Sequence, residues 1–142
     1  MSWALAAVPV PVSDVDRSKS FYAERLGFRV DYDTWFSEGR RIVQLTPPGS
    51  PCSIVIGTNI VDSEPGSLSG LLLVVDDIRA ARDRLVAQEV PASEIRTVSE
   101  ANGGAFLRFS DPDGNGWTIQ EVRPSCVASV GTGGPGDECS VA

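Results

Sequence analysis

Few side chains in this sequence could act as a catalytic base, a nucleophile or a metal ligand. The chain contains no histidine, so no imidazole can serve as a base, a proton shuttle or a metal ligand. Ser-His-Asp and Cys-His hydrolases are therefore excluded. The cysteines, Cys52, Cys126 and Cys139, have no CxxC spacing, which favours reduced thiols in a cytoplasmic protein over a disulfide framework.

The carboxylates are the next candidates, and several have a simpler structural role. Asp76 and Asp77 stand where a helix would begin, which predicts helix capping. Asp111 and Asp113 belong to the run Asp-Pro-Asp-Gly, in which Pro presets φ and Gly accepts a positive φ. We expect these four carboxylates to shape the backbone rather than to transfer protons.

Length and charge bound the class of protein. A chain of 142 residues that is 42% hydrophobic suits one compact domain. Its formal net charge of −7 argues against nucleic acid or an anionic membrane as a partner. Apolar runs such as Leu71–Val75 are far shorter than the ~20 residues that span a bilayer, and the N-terminus lacks the basic region of a signal peptide. We therefore expect a cytoplasmic protein that binds neither nucleic acid nor membrane.

The first half of the chain predicts the order β-α-β-β-β. Valines alternate from Val8 to Val12, which is the period of a strand with one buried face. Asp14 is placed to cap a helix of about three turns that ends at Gly27. Three further strands, separated by turn-forming residues, are predicted at Phe28–Trp35, Arg41–Thr46 and Ser53–Gly57.

The same order returns in the second half. An apolar strand at Leu71–Val75 precedes an amphipathic helix, and strands are predicted at Glu94–Val98, Ala105–Ser110 and Gly116–Val122. Aligning Val12 with Val75 sets an offset of 75 − 12 = 63 residues, and the same offset places Ile54 on Trp117. Two matching ends with one offset indicate a duplicated module.

The two modules are predicted to form one domain over residues 1–123. The first module covers about 4–57 and the second about 69–122. Residues 124–142 are rich in Gly and Ser, and such a stretch cannot bury enough apolar surface to offset its ordering entropy. We expect a flexible tail there.

Four short motifs occur in a fixed order along the chain: Val12–Ser18, Phe21–Tyr22, Leu26–Phe28 and the turn Phe109–Asn115. In that order and spacing, together with the repeat, they resemble the glyoxalase/bleomycin-resistance/extradiol-dioxygenase (vicinal oxygen chelate) superfamily. The resemblance covers about residues 4–122. It implies an α+β fold in which two paired βαβββ modules form a curved mixed sheet, with helices outside and a concave ligand cavity. It also implies a homodimer, since the cavity is commonly completed across two chains.

The resemblance also identifies the positions at which metal-dependent members hold their ion. Those members use His, Gln or Glu side chains on the first and last strands of each module, and the matching positions here are Ala7, Val55, Gly70 and Thr118. These residues do not make a divalent-metal site, so we expect neither a metal nor another cofactor. Glu121 is a possible displaced ligand, but strand alternation puts it on the face opposite Thr118.

Five residues are predicted to bind a ligand: Trp35, Gln44, Arg108, Thr118 and Gln120. Thr118 and Gln120 share a face of the last strand, and Arg108 points toward the cavity if Phe109 lies in the core. Trp35 ends a strand, where its ring would offer stacking area. Gln44 alternates with apolar neighbours and so leaves the core, although the 63-residue offset gives it the opposite orientation. Each residue also has a plain structural interpretation as a core tryptophan, an exposed arginine or a solvated polar side chain.

Two functions fit these residues. The first is a metal-independent protein that binds a small, aromatic or hydrophobic molecule in its cavity, as the bleomycin-resistance branch sequesters an antibiotic. The alternative is a glyoxalase-like lyase or isomerase that uses side-chain acid/base chemistry without metal, through residues such as Glu121, Gln120 or Arg108. A carboxylate pair facing the cavity would favour the enzyme. Since alternation along the strands identifies no such pair, the sequence favours binding and leaves enzymatic activity open.

Overall fold

The computed structural model describes residues 1–97 and 104–122. They belong to two compact units, Met1–Ser69 with Ser110–Gly116, and Gly70–Phe109 with the segment that begins at Trp117. The expected tail at 124–142, with Cys126 and Cys139, lies outside the described residues, as does the last residue of the strand predicted at Glu94–Val98. Within the described ranges, no helix is long and apolar enough to cross a membrane.

The first unit contains one mixed four-stranded sheet and one helix, in the predicted βαβββ order. Its elements are β1 (Ala7–Pro9), α1 (Val15–Ser20), β2 (Arg29–Phe36), β3 (Arg40–Thr46) and β4 (Ser53–Thr58). The sheet order is β1-β4-β3-β2, and β1 runs parallel to β4 whereas the other neighbours are antiparallel. A parallel first strand beside the last strand is the consequence of the helical crossover between β1 and β2.

Helix α1 begins at the predicted cap. The Asp14 carboxylate accepts a hydrogen bond from the Arg17 backbone N–H at 3.0 Å, which satisfies one of the free donors of the first turn. The six residues of α1 continue directly into a five-residue π-helical turn, Phe21–Arg25. Gly27 follows with a φ of 79°, a conformation that glycine adopts without strain.

The core of the first unit lies between α1 and one face of the sheet. The strands bury Val43, Leu45, Ile54 and Ile56, and the helix and its end bury Phe21, Tyr22 and Phe28. The Tyr22 ring centroid lies 5.1 Å from that of Phe21 and 5.7 Å from that of Phe28. Full burial of side chains of this size contributes ~1.5–3 kcal/mol each, so this packing determines which face of the sheet the helix covers.

The turn Ser110–Gly116 lies in the second module of the sequence but belongs to the first compact unit. The buried Asp111 carboxylate accepts hydrogen bonds from the Tyr22 hydroxyl and from Asn115 Nδ2, both at 2.8 Å. Asn115 Nδ2 also donates to the Pro11 carbonyl at 2.8 Å. The turn predicted from Asp-Pro-Asp-Gly is therefore a buried hydrogen-bonded element of the first unit's core.

The second unit repeats the order of elements. They are β5 (Leu71–Val75), α2 (Ile78–Ala87), β6 (Arg96–Thr97), β7 (Ala105–Ser110) and β8 (Gly116–Glu121). The sheet order is β5-β8-β7-β6, again with a parallel first pair. The buried apolar strand residues are Leu107, Phe109, Trp117 and Ile119, and the rings of Phe109 and Trp117 are stacked with centroids 6.0 Å apart.

The 63-residue offset read from the sequence is also present in the strand register. Val8 pairs with Ile54 in the first sheet, and Leu71 pairs with Trp117 in the second. The helix caps obey the same offset, since Asp77 accepts a hydrogen bond from Ala80 as Asp14 does from Arg17. The fold is α+β with two mixed four-stranded sheets, as the resemblance implied.

One connection departs from the offset and resolves the conflicting orientation of Gln44. The β3–β4 connection, between Thr46 and Ser53, is one residue longer than the β7–β8 connection, between Ser110 and Gly116. The ends of β3 and β7 are therefore related by 110 − 46 = 64 residues. With that spacing, Gln44 corresponds to Arg108 and both alternate with buried residues. The alternation of Gln44 with buried residues of β3 is thus confirmed, and the 63-residue offset does not hold for this strand.

Candidate functional site

The first sheet has one face covered by α1 and one face that we call its open face. Lys19 Nζ of the helix contacts Asp33 Oδ2 at 2.8 Å, and Asp16 of the helix contacts Arg41 at 2.9 Å. Asp33 pairs with Val43 across the strands, so Asp33 and Arg41 lie on the helix side with the core residues of β3. Because side chains alternate along a strand, Gln44, which follows Val43, lies on the open face.

Trp35 lies on the helix side, at the edge of the sheet. It pairs with Arg41 across β2 and β3, and the Arg41 guanidinium carbon is 5.6 Å from the Trp35 ring centroid. Hydrogen bonds from Arg41 and from Lys19 hold the pKa of the Asp33 carboxyl well below its usual range. Trp35 is nevertheless 61% exposed, so one face of its ring is available at the rim of the sheet.

Two other aromatic side chains occupy the open face, and sequence reasoning did not select them. Tyr32 pairs with Gln44 and Phe36 with Arg40, which places both rings on the side of Gln44. They are 43% and 50% exposed. The pairing register of β2 with β3 identifies them, but a β-bulge between Val30 and Tyr32 shifts the alternation of β2, so the sequence pattern alone does not.

A carboxylate also lies on the open face because of that bulge. Asp31 Oδ2 accepts hydrogen bonds from Gln44 Nε2 at 3.1 Å and from the Thr46 hydroxyl, and Asp31 Oδ1 accepts one from Arg29 at 2.8 Å. The hydrogen bonds from Thr46, Arg29 and Gln44 lower the pKa of Asp31 to about 2. Asp31 is therefore ionised at neutral pH and acts as a hydrogen-bond acceptor.

The predicted residues of the second unit share one face of its sheet. Arg108 alternates with the buried Leu107 and Phe109, and Thr118 and Gln120 alternate with buried residues of β8. Thr118 pairs with Leu72, and Gln120 pairs with Val74. We call this side the open face of the second sheet. It combines half-exposed aliphatic side chains with a guanidinium, a hydroxyl and the amide of Gln120, which is itself buried.

The positions that hold metal in related proteins lie on or next to these faces, and their chemistry does not fit a metal. Ala7 pairs with Ser53, one alternation from Val55 on the open face of the first sheet. Gly70 directly precedes β5, and Thr118 offers one neutral hydroxyl. In the part of the chain that the structure describes, no three His, Cys, Asp or Glu side chains are grouped as a metal site.

Glu121 and Asp111 are committed to structural hydrogen bonds. Glu121 Oε2 accepts from the Ile78 backbone N–H at 2.9 Å, at the start of α2. This places Glu121 on the helix side of β8, opposite Thr118, as strand alternation predicts. Asp111 is buried beneath the turn that it caps. Both carboxylates therefore point away from the open faces.

A separate cavity of about 250 Å³ in the first unit lies near the start of α1. It is lined by residues 11–13, 15, 57–61, 63 and 65. None of the five residues predicted to bind a ligand lines it. The sequence of the lining gives no recognisable chemistry, and the open face of the first sheet remains the better supported site.

Comparisons with known proteins agree with this architecture. The family model for the Glyoxalase/Bleomycin resistance protein/Dioxygenase superfamily matches residues 4–119. An antibiotic binding protein, TnmS3 from Streptomyces sp. CB03234, is 34% identical, with a TM-score of 0.77 over 85% of this chain and 97% of that one. No curated protein matches the sequence.

Two further solved structures extend the comparison. A glyoxalase/bleomycin resistance protein from Streptomyces sp. CB03234 is 36% identical, with a TM-score of 0.72 over 82% of this chain and 99% of that one. A superfamily member from Sphaerobacter thermophilus DSM 20745 is 27% identical, with a TM-score of 0.75 over 84% and 98% of the two chains. The match spans most of both modules, and this chain belongs to the Glyoxalase/Bleomycin resistance protein/Dioxygenase superfamily.

Proposed function

We propose that this protein binds a small aromatic or hydrophobic molecule without a metal ion, in the manner of an antibiotic-binding protein. The observation that carries the proposal is the open face of the first sheet, where Tyr32 stands exposed opposite Gln44 and Phe36 stands exposed opposite Arg40. Exposed rings grouped beside a few oriented polar groups are typical of sites for planar ligands. The similarity to TnmS3, an antibiotic binding protein, supports the same class of ligand.

Within this proposal, the predicted site residues have distinct roles. Gln44 supplies a carboxamide beside Tyr32, and Trp35 supplies stacking area at the sheet edge. On the open face of the second sheet, Arg108 supplies a guanidinium suited to a carboxylate or phenolate. Thr118 and Gln120 supply a hydroxyl and an amide beside Leu72 and Val74.

The alternative, glyoxalase-like proton transfer, has less support from the geometry. A general base at neutral pH needs a pKa near 7, whereas the hydrogen bonds to Asp31 lower its pKa to about 2. Glu121, the carboxylate first considered for this role, is bound to the N-terminus of α2. The open-face chemistry therefore favours binding over catalysis.

A thermal-shift screen tests the proposal. The panel contains neutral flat aromatics, such as substituted naphthalenes, together with methylglyoxal plus glutathione. We expect aromatic compounds to raise the melting temperature and the methylglyoxal–glutathione adduct to be neither bound nor converted. Conversion of the adduct by protein treated with a chelator would contradict the binding function and establish the enzyme.

The family membership also leads us to propose a homodimer in the cytoplasm, with no nucleic-acid or membrane partner. One chain has a mass of 15.1 kDa, and light scattering on the purified protein should give twice that value. A measured mass equal to that of one chain, at micromolar protein concentration, would contradict the dimer. It would leave the open-face site of the first unit unchanged.

A further inference from the structure

The bulge in β2 creates a chain of hydrogen bonds along the open face of the first sheet. The Ser53 and Thr46 hydroxyl oxygens lie 2.6 Å apart, Thr46 donates to Asp31, and Gln44 donates to the same carboxylate oxygen. The Thr46 hydroxyl has one hydrogen, which Asp31 receives, so Ser53 must be the donor in its contact with Thr46. The donor and the acceptor of each of these hydrogen bonds are therefore determined.

That direction extends to the Gln44 side chain. A carboxamide has a donor end and an acceptor end, and the ionised Asp31 carboxylate can only accept. The Gln44 NH₂ group must therefore face Asp31, and its carbonyl oxygen Oε1 is at the opposite end of the amide. Rotation of the amide by 180° would bring two oxygens together, at the cost of a charged hydrogen bond.

We propose that Asp31 is a positioning residue that presents Gln44 Oε1 as an acceptor, and that the ligand is an aromatic molecule carrying a hydroxyl or N–H donor. This inference rests on the proposed binding function and names its ligand class. The donor would lie next to the ring system, because Tyr32 pairs with Gln44 on one side and Val55 pairs with it on the other. A ligand acceptor at the same place would face the Gln44 carbonyl unfavourably.

Two probes with the same ring system separate the contribution of the donor from that of the ring. 2-Naphthol carries a hydroxyl that 2-methoxynaphthalene replaces with a methyl ether, and both are neutral at pH 7. We expect the wild-type protein to bind 2-naphthol about fivefold more tightly, the effect of one neutral hydrogen bond. Asp31→Ala should bring the ratio of the two dissociation constants close to one, while the methyl ether binds as before.

Three variants control for simple structural damage. Asp31→Asn keeps an acceptor oxygen beside Gln44 and should restore part of the ratio. Gln44→Met keeps the side-chain length, removes the acceptor and should abolish the ratio as Asp31→Ala does. Arg29→Ala should leave the ratio unchanged, because the largely exposed Arg29 binds the other carboxylate oxygen. Circular dichroism verifies that each variant is folded.

The outcomes distinguish this inference from the binding function beneath it. Equal affinity of the wild-type protein for both naphthalenes would overturn the donor preference and leave aromatic binding intact. An unchanged ratio in folded Asp31→Ala would overturn the positioning role. If no member of the aromatic panel binds the wild-type protein, the proposed function fails and this inference fails with it.

Discussion

The two sheets have the same strand order and the same register in their parallel first pairs, yet their open faces carry different chemistry. The first sheet presents the exposed rings of Tyr32 and Phe36, and the Gln44 carboxamide beside Tyr32 donates to the Asp31 carboxylate. The second presents aliphatic side chains beside Arg108 and Gln120. The features that repeat at a 63-residue spacing, such as the caps Asp14 and Asp77, are those that determine the backbone. The residues that differ are those that would contact a ligand.

The connections between the last two strands of each module differ in the same way. The six-residue β3–β4 connection is exposed, and its Ser50 hydroxyl contacts Cys52 locally. The shorter β7–β8 connection places Asn115 at 0% exposure, with side-chain hydrogen bonds to Pro11, Leu68 and Asp111. The two connections have similar lengths and positions, but only the β7–β8 connection contributes to the core.

The largest effect is expected from breaking this buried turn. Asn115→Ala removes three hydrogen bonds and leaves the Pro11 carbonyl without that donor, so we expect a loss of about 3 kcal/mol in the free energy of unfolding. Ser50→Ala in the other connection should cost about 1 kcal/mol or less. Urea unfolding measures both. Equal losses in the two variants would contradict the difference between the connections.

The next effect concerns neighbouring aromatic residues on opposite faces of β2. Phe36→Ala should weaken binding of 2-naphthol about tenfold, because it removes stacking area from the open face of the first sheet. Trp35→Ala is the comparison, because Trp35 has similar exposure but lies at the sheet edge on the side of α1, where its ring adds less stacking area. We expect it to weaken binding by less than threefold. Calorimetry on both variants gives the ratio, and a larger loss in Trp35→Ala would move the binding surface to the helix-side edge.

A smaller effect is expected from acid. The folded pKa of Asp31 is about 2, below its ordinary value of 3.8, so its contribution to stability is present above pH 4 and is lost as the pH falls toward 2. Asp31→Asn removes that contribution at every pH. The melting temperature of the variant should therefore fall less than that of the wild type between pH 4 and pH 2. Parallel curves for the two proteins would show that Asp31 gains nothing from its partners.

The sequence predicts those features of the fold that depend on residues close to one another along the chain. The caps, Gly27 and the strands at Leu71–Val75 and Ala105–Ser110 are local, because each is determined by residues within one turn or one alternation. The chain motifs, taken with the repeat, also predicted the α+β fold. The bulge at Asp31 and the one-residue difference between the two connections are set by pairing across strands. Sequence alternation does not record such pairings.

The same limit explains the candidate site. Gln44, Arg108, Thr118 and Gln120 were selected by alternation and lie on the face opposite the apolar core residues of their strands, although Gln120 is itself buried. Tyr32 and Phe36 follow the bulge, so counting from Val30, which pairs with the buried Leu45, gives them the wrong face. Trp35 was selected for its ring, and the register places it beside Arg41. Binding measurements on variants of these residues test their role.

The smallest expected effect is that of added metal. The positions Ala7, Val55, Gly70 and Thr118 offer no imidazole or carboxylate, so zinc, nickel or iron should shift the melting temperature by less than about 1 °C. Elemental analysis of the purified protein should find no stoichiometric divalent metal. About one ion per chain would contradict the metal-independent account.

Backbone amide NMR during titration with 2-naphthol shows directly which surface of the protein binds the ring. If the open face of the first sheet binds the ring, the largest chemical-shift changes should fall on Tyr32, Phe36, Gln44 and Val55, and residues lining the 250 Å³ cavity should change little. Changes concentrated on residues 11–13 and 57–61, with β2 and β3 unaffected, would contradict it. Ligand binding would then belong to that cavity, and the aromatic open face would have no part in it.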